Sequence, residues 1–207
     1  MRKAGRPAAI GCRAHTGWAA IVVAAGTVAR PEVVLRGRLE LRDPSGRVRP
    51  NAYQAARRLE PAEAPAMIEA AERIAAERAA AAIDRTVRDA ADQGAGVHSC
   101  AVVVGAFGGA PLESILASHA LAHAAEGRLY QQALMQGAES RGLVAVAVPK
   151  RSLWEQGESA LGVARDELKH IIDDLRREIG PPWSEDQKLS ALAAWMALAR
   201  SLPPRDA

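Results

Sequence analysis

Apolar and polar positions alternate in short runs over the first part of the chain, a period of two that predicts strands. Residues 9–12, 18–25 and 32–42 are rich in apolar side chains and are parted by the turn residues Thr16-Gly17 and Gly26-Thr27, as in a meander. In the third run Val33, Leu35, Leu39 and Leu41 alternate with Arg36, Arg38, Glu40 and Arg42, which leaves one sheet face in water. Asp43-Pro44-Ser45-Gly46 fits a type I turn, with proline presetting φ at its second position. The pattern over residues 47–59 is irregular and reads as a loop.

The period then changes. Pro61 suits a first helical turn, and Met67, Ala71, Ile74, Ala75, Ala79, Ala82, Ile83 and Val87 recur at steps of three and four, predicting one long amphipathic helix closed by Gln93-Gly94. Residues 97–104 are too apolar and too short a run for anything but a central strand covered on both faces. A second long helix is predicted over residues 114–141, ended by Gly142, whose missing Cβ suits the left-handed position after a helix. Residues 143–148 read as another buried strand, stopped by Pro149 and followed by a short element around Leu153 and Trp154. Leu168, Ile171, Ile172, Leu175 and Ile179 mark a further helix, and Ser184 with Gln187 forms a capping box for a last one running to about Ser201.

This order implies an α/β domain. Three antiparallel strands come first, and the later strands, joined by helical crossovers, pair in parallel. The expectation is a mixed five-stranded sheet with helices on both faces, in one domain spanning residues 1–207.

Composition narrows the function classes. Apolar residues are 49% of the chain, much of it alanine, so elements should approach closely with few large side chains between them. Aromatics at 3% are too few for the repeated stacking platform of general single-strand binders. The charge of +3 is a small excess of 27 basic over 24 acidic residues and only weakly favours a polyanionic partner. Cys12 and Cys100 sit in apolar runs and read as buried thiols in a reducing compartment. The apolar run after Met1-Arg2-Lys3 is broken by Arg13 and His15, and no run reaches the roughly 18 residues that span a bilayer, so a cytoplasmic, unprocessed protein without a membrane partner is expected.

The strand and helix order resembles the ribonuclease H-like superfamily, and its RuvC-type resolvase branch in particular. The likeness is local at Ile10-Gly11-Cys12-Arg13 and Gly17-Trp18-Ala19, which resemble the two opening strands, and at residues 186–193, which resemble the closing helix. The chain is also similar to bacterial proteins sharing a His-x-Gly-Trp segment, here His15 to Trp18, and a Pro-Pro-Trp-x-x-Asp-Gln-Lys segment, here Pro181 to Lys188, a likeness that implies no activity. The superfamily resemblance implies carboxylates at the end of the first strand, near the fourth strand and on the last helix, holding paired Mg2+ or Mn2+ ions against a scissile phosphate. Arg13 stands where the first of these would be, with His15 nearby. Glu113 and Asp186 match the second and third, but Leu189 and Ser190 occupy the turn beyond Asp186 where a further acid would be needed.

Spacing adds other candidates. His119, His123, Glu126 and Tyr130 follow at steps of four, three and four along one helix side, a pattern able to ligate a metal; the plainer reading is a polar helix interface. Gly127, inside that helix, marks a close approach of backbone or ligand. Gly108 and Gly109 belong to a glycine loop between strand and helix that could cradle an anion, although it lacks the lysine and hydroxyl of a P-loop. Arg13, Lys150 and Arg151 could converge on phosphate beside the strand ends, and Arg36, Arg38 and Arg42 form a separate basic strip.

Two functions follow. In one the chain is a metal-dependent nuclease or phosphodiesterase acting on DNA or RNA, with Glu113, Asp186 and His15 catalytic and His119, His123, Glu126 and Asp186 on the metal. In the other it is a non-catalytic module of the same fold that binds nucleic acid or protein. Self-association into a homodimer completes the partner expectations.

Overall fold

The computed structural model describes residues 5–201; Met1-Arg2-Lys3 lie outside the described residues. The strands are β1 (Arg6–His15), β2 (Trp18–Gly26), β3 (Pro31–Glu40), β4 (Ala95–Val104) and β5 (Val144–Pro149). They form one mixed sheet in the order β3-β2-β1-β4-β5. The β1–β2 and β2–β3 pairs are antiparallel, and β1–β4 and β4–β5 are parallel, as the connections require.

The helices are α1 (Ala52–Ala56), α2 (Ala64–Asp92), α3 (Leu112–Ala117), α4 (His119–Glu139), α5 (Leu153–Leu161), α6 (Arg165–Ile179) and α7 (Glu185–Ser201). Alternation along β1 sends Ala8, Ile10 and Cys12 into a core shared with α2 and α4, whereas Ala9 packs with α5, α6 and α7 on the other face. Where α2 crosses α4, a Cβ on Gly137 would lie 2.9 Å from the Ala80 amide nitrogen. Small side chains let those backbones approach, which is where the alanine content goes. Every residue from Leu189 to Leu198 of α7 is buried, so this helix is covered all round by the sheet and by α5 and α6.

Several boundaries differ from the sequence reading for identifiable reasons. The irregular segment 47–59 contains the short helix α1, too brief to show a period. The long helix over 114–141 is two helices, because Ser118 is extended and its side chain accepts a hydrogen bond from the Leu121 amide, capping α4. Strand β5 is an edge strand with Val144 66% exposed, and its apolar run had suggested full burial. The capping box forms as expected: the Gln187 amide donates to Ser184 Oγ at 3.3 Å and the Ser184 amide to Gln187 Oε1 at 3.0 Å. Trp195 is a buried anchor and Trp183 a half-buried one, their indole nitrogens donating to the carbonyls of Val28 and Ile172 respectively. Cys12 and Cys100 are buried free thiols, and hydrogen bonding to Cys100 together with burial pushes the Cys12 thiol well up. Among the described residues no helix is long and apolar enough to cross a membrane.

Candidate functional site

The site grows from the contact between β1 and α7. Gly11 faces α7, and a Cβ there would sit 1.9 Å from the Ser190 carbonyl oxygen, so the helix lies directly on the strand backbone. Ser190 is itself buried, and its hydroxyl is satisfied by the Asp186 carbonyl at 2.8 Å. This seat brings the first turn of α7 over the last residues of β1. Arg13 Nε donates to Asp186 Oδ1 at 2.5 Å, and His15 Nε2 lies 3.0 Å from Oδ2. The second contact is close in distance but misses hydrogen-bond direction, so His15 is held near the carboxylate mainly by packing.

Packing comes from Trp18. After the turn at Gly17, whose φ of 79° favours glycine, Trp18 pairs with His15 across the hairpin. The rings stack at 4.3 Å with 9° between their planes, and the Arg38 guanidinium lies 4.0 Å from the Trp18 ring centre. Glu40 then holds Arg38 at 2.6 Å and Arg42 at 3.2 Å.

Partial burial pushes the Asp186 carboxyl up, but the Arg13 hydrogen bond and then the His15 contact outweigh it, so its pKa sits below the ordinary carboxylate value. A lowered folded pKa contributes stability that is present above the unfolded value, near 4, and is lost as pH falls through the lower folded value. Asp186→Asn is expected to cost about 1 kcal/mol at neutral pH, discounted for the partly exposed pair, and to flatten the acid limb of stability measured by urea unfolding. An acid limb unchanged by the substitution would show that the pair contributes nothing.

The other expected residues lie elsewhere. The sheet separates α4 from α7, so His119, His123 and Glu126 do not join Asp186, and among the described residues no group of three or more His, Cys, Asp or Glu side chains is arranged to hold a metal. Glu126 is 2% exposed, and its Oε1 accepts from the Gln54 amide at 3.1 Å, capping α1 from across the loop; burial raises its pKa against that bond. Tyr130 donates to the Pro50 carbonyl at 2.7 Å and anchors the same loop. His119 and His123 are exposed, as is Glu113 on α3, which packs against α4 and α1 on the face away from Asp186. Gly127 has no close neighbour; Gly137 is the tight helical glycine instead. Lys150 and Arg151 line a cavity of about 310 Å3 with Gly105 and Ala106, beside the ends of β4 and β5, and Arg13 is not among its walls. Gly108 stands open, and a Cβ on Gly109 would meet the Arg128 guanidinium at 2.8 Å. Arg36 is not a free cation of a basic strip, because it donates to the carbonyls of Ile179, Pro181 and Pro182.

Sequence reasoning missed the joint role of Trp18 and Arg38. The signal was present: Trp18 is the first residue after a two-residue turn that begins at His15, which places the two rings side by side on neighbouring strands.

The strand order and the seat of the closing helix define a ribonuclease H-like fold of the RuvC type. Two solved structures carry that likeness. The chain is similar to T. thermophilus RuvC in complex with a Holliday junction substrate, with a TM-score of 0.51 at 12% identity over 91% of both chains. It is likewise similar to the Thermus thermophilus RuvC structure, with a TM-score of 0.50 at 13% identity over 91% of this chain and 92% of that one. No family model matches the chain, and no curated protein matches it.

Residues at the corresponding strand end do not fit a divalent ion of the kind the resemblance implies. Asp186 accepts at Oδ1 from a guanidinium that cannot lose its charge, and the His15 imidazole crowds Oδ2 at 3.0 Å. A divalent cation would have to displace Arg13 and would still find one carboxylate.

Proposed function

We propose that this chain is a single ribonuclease H-like domain that binds nucleic acid, working in the cytoplasm, without cutting it. The observation that carries the reading is the Arg13–Asp186 pair: the strand-end carboxylate is neutralised by a side chain of the protein itself. The same end of the sheet carries cations suited to phosphate, Lys150 and Arg151 beside Gly105, whereas Arg38 on Trp18 is paired with Glu40. A similar solved structure has a Holliday junction bound, which supports branched DNA as the first partner to test. The alternative is the metal-dependent nuclease with Glu113, Asp186 and His15 catalytic, and it has the fold in its favour.

Labelled four-way junction, duplex DNA and RNA–DNA hybrid decide between them. Fluorescence anisotropy is expected to show binding that weakens about 40-fold for a roughly fourfold rise in salt, the slope for about three neutralised phosphates. Incubation with Mg2+ or Mn2+ is expected to leave every strand intact on a denaturing gel. Cleavage that disappears in Asp186→Asn would replace this reading with the nuclease, and an absence of binding to all three would remove nucleic acid as the partner.

A further inference from the structure

The segment joining β3 to α2 carries arginines that the strand-end site does not use. It leaves the sheet at Leu41, whose amide donates to the Gly17 carbonyl at 2.9 Å, and crosses to α4, where Tyr130 holds Pro50. Three arginines, Arg49, Arg57 and Arg58, then line a concavity of about 330 Å3 together with Asn51, Gln54 and His119. No acidic residue lines it. The larger cavity next to it, about 570 Å3, shares Arg49 but includes Glu40 and Asp43, so its cations face built-in anions.

Arg57 is braced there without a carboxylate partner. Arg57 Nε donates to the Leu116 carbonyl at 3.0 Å, and its Nη1 lies 3.1 Å from Gln54 Oε1 and 3.3 Å from His119 Nδ1. Gln54 is in turn fixed by the His119 carbonyl at 2.9 Å and, through its amide, by Glu126. Arg57 is thus oriented by a carbonyl, an amide and an imidazole, none of which cancels its charge. Among the described residues Arg49, Arg57 and Arg58 make no ion pair, in contrast with Arg6, Arg73, Arg88, Arg165 and Arg177, each of which has a carboxylate partner.

Three unpaired guanidinium groups around one small hollow call for an anion with more than one charge. An internal phosphodiester carries a single charge and must leave the hollow in two directions. A terminal phosphomonoester carries about −1.5 to −2 near neutral pH, offers three oxygens to planar donors and needs only one way out. We propose that the hollow of Arg49, Arg57 and Arg58 is a phosphomonoester site that takes the phosphorylated end of a nucleic-acid strand. The inference rests on the nucleic-acid reading above and names the end of the strand as what this part of the surface selects.

The test compares one oligonucleotide sequence bearing a 5′-phosphate, a 3′-phosphate or no terminal phosphate, by anisotropy against the full chain. A phosphorylated end is expected to tighten binding about tenfold, corresponding to about 1.4 kcal/mol. Millimolar inorganic phosphate should erase that preference. Arg58→Gln and Arg49→Gln remove side chains that no internal bond uses, so the fold should persist by circular dichroism while the preference falls to about twofold or less. Equal affinity for all three oligonucleotides, or a preference that survives both substitutions together, would overturn this inference and leave the nucleic-acid reading standing. Failure of every oligonucleotide and of the four-way junction to bind would overturn both.

Discussion

Gly11→Ala is expected to destabilise the protein by about 3 kcal/mol or more, because the added methyl would meet the backbone of α7 and not a side chain that could turn away. In a chain of this size that corresponds to a fall in Tm of about 6–12 °C. Gly108→Ala is the control: its Cβ meets nothing within 4 Å and its φ is ordinary, so its Tm should stay within a degree or two of the parent. Matching Tm values for the two variants would mean that α7 does not rest on β1 at Gly11. The Arg13–Asp186 pair would then lose its structural basis, since that seat is what brings the two residues together.

Arg13→Asp is expected to have the second largest effect. It replaces a salt bridge with two facing carboxylates, costing about 2 kcal/mol at neutral pH after allowance for partial exposure, and it raises the pKa of Asp186 by like-charge repulsion. The variant should also acquire a response that the parent lacks. Mn2+ would bridge the new pair of acids and restore Tm in a concentration-dependent way, by about 2.7 kcal/mol at a hundredfold excess over its dissociation constant. Thermal unfolding of both proteins with and without Mn2+ reads this directly. An equal metal-induced rise in the parent would show that Arg13 does not keep the strand end closed to cations, and the non-cutting reading would fail with it.

Periodicity made the sheet legible. The apolar run of β4 follows from its two covered faces, and the connections then fixed parallel or antiparallel pairing. The single wet face read into β3 is not found: a bulge puts Val33 on the side of α6 and α7 and Leu35 and Leu39 on the other. Elements set by a single side chain were not legible: the break at Ser118 depends on one hydroxyl, and α1 depends on a cap supplied by Glu126, 72 residues away in sequence. The same holds at the site. The departure at Arg13 could be read from its position in the opening strand, but its partner could not, because nothing in spacing says that Gly11 lets α7 down onto β1. The row His119, His123, Glu126 does share one helix, yet helical period says nothing about which side of a sheet that helix covers. The arginines of residues 47–58 were hidden because an irregular stretch offers no phase from which to infer convergence.

Arg36 gives the strand-end pair a longer reach than its own contacts suggest. By gathering the carbonyls of Ile179, Pro181 and Pro182, one guanidinium on the outermost strand sets the bend from which the closing helix departs. Asp186 lies just beyond that bend, so its carboxylate is aimed from two places at once, the glycine beneath it and a tether two strands away. Sequence drift along the border of the sheet would therefore be felt as a change of aim over its central strand.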